Sequence, residues 1–164
     1  MNQHPGKKSV PPSVGADVSG IETLLNRNLP EVFGEGDPAR RRAAIQQLYT
    51  EDCVLYVPPG TFVGHDALVS FIKLWREKLH GASLKHWNNN LQITGNGKEA
   101  NGFVYLMLVD VTTKPASMVS THTYTDNLVK TKDGWRFTKR ITKADVPPAA
   151  AAAAAPAATG TPTK

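Results

Sequence analysis

The stretch "MVSTHTYTDNLVKTKDGWRFTKRITK", Met118 to Lys143, decides how this chain folds. Polar and apolar residues alternate along it, and the "KDG" in its middle, Lys132 to Gly134, has the composition of a tight hairpin turn. An antiparallel pair of strands follows. On the first, His122, Tyr124 and Asp126 share one face and Thr121, Thr123 and Thr125 the other, because successive side chains of a strand point to opposite sides. Asp126 is expected nearer the rim, beside the hairpin. On the second strand, Trp135, Phe137 and Ile141 share one face, and Arg136, Thr138 and Arg140 the opposite one.

Working outward, the same alternation holds in "SLKHWNNNLQIT" and in "EANGFVYLMLVDVTT", with "GNGK" and "KPAS" as turns. The second of these is apolar on both faces, which marks a central strand. Further upstream the period becomes helical. Ile21, Leu24, Leu25, Leu29, Val32 and Phe33 make one stripe, with Ser19 as a possible cap and Pro30 as a break. Asp37 followed by Pro38 starts a second helix, with Ile45, Leu48 and Tyr49 on one side. "DCVLYVPPG" is a short strand stopped by Pro58-Pro59-Gly60. In a third helix Ala67, Leu68, Phe71, Ile72 and Trp75 form the apolar stripe, and Gly81 ends it. Helices gathered before a meander give an α+β fold. We expect a cone-shaped barrel, a curved and mainly antiparallel sheet covered by three N-terminal helices, able to enclose a cavity.

The chain has 164 residues and is 40% hydrophobic, which suits one domain with a modest core. That domain spans 19–145. Residues 1–18 read as a disordered lead-in and 146–164 as a flexible Ala/Pro-rich tail. No apolar run is long enough for a bilayer, and the lead-in lacks a secretory signal's apolar stretch. The single cysteine, Cys53, allows no intrachain disulfide and reads as a small buried hydrophobe. A cytoplasmic location is expected. A net charge of +5 raises nucleic acid as a partner. The tightest basic cluster, Arg40, Arg41 and Arg42, points three ways on a helix and has no interleaved aromatic residues, so nucleic acid is the weakest partner class. His80 and His86 do not share a helical turn, and His65-Asp66 opens a helix, so no metal site is expected. There is no phosphate-binding glycine loop and no Gly-x-Ser-x-Gly elbow, and no cofactor is expected.

The segment "EVFGEGDPARRRAAIQQLYTEDCVLYVPPGTFVGHDALVSFI" resembles the SnoaL-like branch of the nuclear transport factor 2-like superfamily. The likeness lies in the Gly-Asp break, the acidic residue before "CVLY", the Pro-Gly turn and the "GHDAL" helix start. "YTDNLVKTKDGWRFTKR" resembles that family's last hairpin. The second half is partly similar to scytalone dehydratase. That similarity matches His86 and Tyr56 to active-site positions, places Asp110 where a second histidine stands, and puts polar cavity residues at His122 and Tyr124. The catalytic aspartate of that enzyme meets Gly34 here. The general base of ketosteroid isomerases meets Val57, which cannot abstract a proton. The resemblance implies the fold far more sharply than the activity, because this fold hosts several chemistries as well as proteins that only bind.

Alternation and resemblance together project His86, Asp110, His122, Tyr124 and Tyr56 onto the cavity. Asp110 ends an apolar strand face that also carries Val104, Leu106 and Leu108. It is either exposed at the sheet's end or paired with a histidine, and a carboxylate–imidazole pair would serve acid–base chemistry. Tyr56 and Tyr124 would position a substrate oxygen. Asn88 and Asn90 either bind substrate on the face of His86 or mark a bulge. The expected function is a cofactor-independent lyase or isomerase, dehydratase-like, acting on a small, largely apolar aromatic, polyketide or terpenoid compound. The rival is a non-catalytic ligand-binding or interaction domain, a homodimer through the outer face of Tyr105, Met107 and Val109.

Overall fold

A computed structural model describes residues 17–58, 60–78 and 81–145. The expected lead-in up to residue 16, His80 and the tail from residue 146 lie outside them. Helix α1, Val18–Asn28, is capped by Asp17 rather than Ser19; the Asp17 carboxylate accepts the Gly20 N–H at 2.9 Å. A carboxylate is the stronger cap because it also complements the positive end of the helix dipole. Ile21, Leu24, Leu25 and Asn28 face inward. Pro30 has no N–H to continue the ladder, and Leu29–Gly34 form a π-helical turn that buries Val32 and Phe33. Helix α2, Pro38–Leu48, starts where the Asp37-Pro38 pair requires, with Asp37 accepting the Arg40 N–H at 2.8 Å. Tyr49 does not extend this helix. It opens strand β1, Tyr49–Val57, and stacks on Phe137 with ring centroids 4.9 Å apart.

Strand β1 turns into a second short strand, β2, Gly60–Val63, which the sequence reading did not separate. Helix α3, Gly64–Lys78, buries Leu68, Phe71 and Ile72. Four long strands follow: β3 Leu84–Gly95, β4 Glu99–Asp110, β5 Ser117–Thr131 and β6 Gly134–Ala144. They form one six-stranded sheet in the order β2-β1-β6-β5-β4-β3, antiparallel except for the β1–β6 pair. The three helices cover a mixed curved sheet that stays open, with β2 and β3 as its edges, so it is not a closed barrel. The helices contact β1 and β6, and their apolar stripes join Leu55, Leu128, Trp135 and Phe137 in the main core. A second cluster, Val104, Leu106, Leu108 and Tyr124, lies on β4 and β5.

Bulges on three of the four long strands decide which of their side chains face inward. On β3 the pairing steps from Asn89↔Tyr105 to Gln92↔Phe103, with Asn90 at φ 54°. On β5 it steps from Leu108↔Ser120 to Val109↔Met118. On β6 it steps from Leu128↔Phe137 to Asn127↔Lys139. Each inserts one residue, and one residue inverts the alternation beyond it. Past Thr138 the inward positions of β6 therefore become Arg140, Thr142 and Ala144. This overturns the expected facing of Arg140: it is 2% exposed, whereas Ile141 is half-buried.

The basic triplet on α2 is used within the fold. Arg40 pairs with Glu35 at 3.2 Å and Arg42 with Asp66 at 2.6 Å. Arg41 is buried and donates to the carbonyls of Glu35 and Gly36. Cys53 is buried in the main core, and desolvation raises its thiol pKa, away from reactivity. No helix of the described residues is long and apolar enough to cross a membrane.

Candidate functional site

A cavity of about 350 Å³ lies between the helical cover and the inner faces of β3 to β6. This is at the small end of the range for ligand pockets. Its walls differ. On the helical side stand Phe33, Phe71 and Trp75, with Val57 and Pro58 from the β1–β2 turn. Across from them are Leu106, Leu108, Ser120, His122, Tyr124, Arg140 and Thr142.

His86 reaches the cavity because β3 places Leu84, His86 and Asn88 on one side before its bulge. Its ring packs against Trp75 and Phe33, with centroids 5.2 and 5.5 Å away. No hydrogen-bond partner meets its nitrogens among the described residues. Burial first, then the charge of Arg140 and the nearby His122, bring its pKa down to about 4. The imidazole is therefore neutral near pH 7 and available as a proton acceptor. Trp75 is held in turn by Gly81, whose α-carbon lies against the indole with no room for a Cβ.

His122 lies on β5, paired across the sheet with Leu106. Its Nε2 meets the Ser120 hydroxyl at 2.8 Å, and its Nδ1 is buried without a partner. Desolvation lowers its pKa as well, opposed by Asp145. Tyr124 is 4% exposed, and burial raises its phenol pKa, so the hydroxyl keeps its proton. Thr142, opposite Tyr124 in the ladder, also has a buried hydroxyl with no partner.

At the inner end of the cavity is a buried polar network that alternation alone had hidden. Arg140 Nε and Nη2 donate to the two carboxylate oxygens of Asp126 at 2.7 and 2.8 Å. Arg140 Nη1 donates to Asn28 Oδ1 at 2.6 Å, and Asn28 Nδ2 donates to the Tyr49 hydroxyl at 2.6 Å. The guanidinium lies 4.2 Å from the Tyr124 ring centroid and 4.6 Å from that of Phe137. Asp126 is thus fully buried, not at the rim, and its bidentate partner offsets the cost of burying the charge.

The structure brings together His86, His122 and Tyr124, and leaves the other predicted site residues elsewhere. Asp110 is not in the cavity wall. Its Oδ1 accepts the Thr112 N–H at 2.8 Å and the Thr112 hydroxyl at 2.7 Å, ordering the turn after β4. Tyr56 points to the other side of β1, 39% exposed beneath the Lys139 ammonium, because Cys53, Leu55 and Val57 take the inward positions. Asn88 and Asn90 line a separate groove with Leu25, Asn26 and Val104, and the second of the two alternatives, a bulge, accounts for the asparagine run. On the outer face Tyr105 is exposed and Met107 half-buried, but Val109 is buried. Among the described residues no three His, Cys, Asp or Glu side chains gather as a metal site needs.

The comparisons agree with this architecture. Comparison with curated protein sequences finds no match. A nuclear transport factor 2-like protein with a cystatin-like fold from Novosphingobium aromaticivorans superposes with a TM-score of 0.68 at 21% identity, covering 83% of this chain and 87% of that one. A scytalone dehydratase-like protein from the same organism gives a TM-score of 0.60 at 21% identity, covering 79% and 85%. ActVI-ORFA from Streptomyces coelicolor gives 0.64 at 14% identity, covering 79% and 98%. Identities this low establish the fold. The family profile of the SnoaL-like domain matches residues 34–141, about two thirds of the sequence, and the chain belongs to the SnoaL-like domain family.

Proposed function

We propose that this protein is a cofactor-independent acid–base catalyst, a lyase or isomerase, for a small, largely apolar molecule carrying a carbonyl or hydroxyl group. The observation that carries this reading is the presence of two neutral imidazoles, His86 and His122, in the wall of one cavity lined mainly by aromatic and aliphatic side chains, with Ser120, Arg140 and Thr142 as its other polar groups. Either ring can take a proton from carbon and, once charged, return it to a leaving or enolic oxygen, while the other holds that oxygen by a hydrogen bond. The apolar walls exclude water and strengthen each hydrogen bond to the reacting atoms. Asp110 has no part in this scheme, and among the described residues no carboxylate hydrogen-bonds to either ring. The catalytic power expected is accordingly modest, on the order of the 10²–10⁴-fold typical of positioned acid–base groups.

The test measures proton transfer directly. Hydroxylated aryl ketones are incubated with the protein in D₂O, and deuterium at the carbon beside the carbonyl is followed by NMR. Exchange above background, reduced at least tenfold in His86→Ala or His122→Ala, supports the reading. Exchange equal to wild type in both variants sinks it. Binding of these ketones without any exchange would favour the rival, a ligand-binding domain. One feature supports that rival: Asp126, the one fully buried carboxylate among the described residues, is committed to Arg140 through both oxygens.

A further inference from the structure

The two walls of the cavity do not have the same polarity. Arg140 is in the wall, while its counter-ion Asp126 is not. A guanidinium has five N–H donors. Three are used, two by Asp126 and one by Asn28, and two remain on a side chain that is 2% exposed. Beside it in the wall are Tyr124, whose ring the guanidinium covers, and the Thr142 hydroxyl and His122 Nδ1, both buried and without a partner among the described residues. Buried polar atoms in native folds are nearly always satisfied, so this group of donors is built to meet something other than the protein.

We propose that the β5–β6 wall is a subsite for an anionic oxygen, the phenolate or enolate of a small aromatic ligand, held by Arg140, Tyr124 and Thr142. Charge decides between classes of anion. Arg140 is already neutralised once by Asp126, so a compact carboxylate or phosphate would bring a full, poorly compensated charge into an apolar space. A phenolate or enolate spreads its charge over carbon and loses less on leaving water. Its ring then lies against Phe33, Trp75 and Leu106, where only apolar contact is offered. The charge of Arg140 is felt at His86 across the cavity despite its pairing with Asp126. The proposal rests on the reading above only in requiring that the cavity take a small aromatic molecule. It assigns an end to each part: oxygen at β5–β6, the carbon that loses a proton toward His86.

A matched pair of probes tests it, 4-nitrophenol and its O-methyl ether 4-nitroanisole, by equilibrium dialysis and absorbance against the full chain. The expected result is that 4-nitrophenol binds in its yellow phenolate form below its solution pKa. Tyr124→Phe and Thr142→Val should each weaken that binding by about tenfold, the scale of one hydrogen bond to a charged group, while 4-nitroanisole binding stays unchanged. Circular dichroism identifies any variant that has lost its fold, and the near-isosteric Thr142→Val guards against that outcome. The subsite is overturned if 4-nitroanisole binds and 4-nitrophenol binds only as the neutral phenol, or if both variants weaken both probes equally. If neither probe binds, the cavity reading falls and takes the subsite with it.

Discussion

The inner face of the sheet has two ends that treat polar atoms oppositely. Around Arg140, Asp126, Asn28 and Tyr49, each buried side chain is tied to another by hydrogen bonds of 2.6 to 2.8 Å. A few residues along the same strands, His122 Nδ1 and Thr142 Oγ1 are buried with no partner. The first end is a polar core that holds α1 to β6. The second is a cavity whose polar atoms wait for a ligand. A close-packed network gives rigidity, and an unsatisfied one gives binding capacity. The Arg140 side chain belongs to both, so the rigid end sets the position of the receptive one.

The largest break of this contrast comes from Asp126→Ala. It leaves Arg140 charged and unpaired in the core, and should cost about 3–5 kcal/mol in urea unfolding. A loss below about 1 kcal/mol would mean that the closed end contributes little to stability.

Next in size is a pH effect at the open end. An imidazole that titrates near 6.5 in the unfolded chain is held at about 4 in the fold by burial, Arg140 and His122. At pH 5 the unfolded chain therefore binds a proton that the folded chain refuses. Stability is fully present above pH 6.5 and is lost as the pH falls toward 4, by up to about 3 kcal/mol at roughly 1.4 kcal/mol per unit. His122 is shifted in the same direction and adds to the loss. The depressed carboxylates of Asp17, Glu31, Glu35 and Asp37, with ordinary values of 3.8 to 4.5, act lower in the range. Denaturant melts across pH 4.5–7 should show the slope in the wild type and less than half of it in His86→Gln.

How much of this was legible beforehand follows from what each signal encodes. Alternation in β4, the Asp37-Pro38 start and the helical stripes report local geometry, and they located helices and strands; alternation and the family resemblance together pointed His86, His122 and Tyr124 toward the cavity they line. Bulges are set by how two strands meet. Nothing in "WRFTKRITK" marks Thr138 as the extra residue, so Arg140 was placed on the wrong face and its network with Asp126 went unseen. The asparagine run of β3 was the one bulge that composition advertised. Tyr56 was misplaced because alternation fixes only which residues share a face, not which face is inward, and in β1 the inward positions go to Cys53, Leu55 and Val57.

The smallest effect is expected at Asp110. Asp110→Ala removes the acceptor of the Thr112 N–H and hydroxyl and should cost about 1 kcal/mol, as the loss of a local cap does. Ligand affinity in the cavity should not change. A large drop in ketone exchange in this variant would return Asp110 to the site and blur the contrast between the two ends.

The bulge at Thr138 has a consequence for how such a cavity diversifies. Upstream of it, β6 sends Trp135 and Phe137 inward, and downstream it sends Arg140 and Thr142. Were Thr138 paired in unbroken alternation instead of bulged, the same residues would present Lys139, Ile141 and Lys143 to the ligand, with no residue type altered. Strand register, as much as residue identity, is a dial by which a chain of this fold can exchange one set of chemical groups for another.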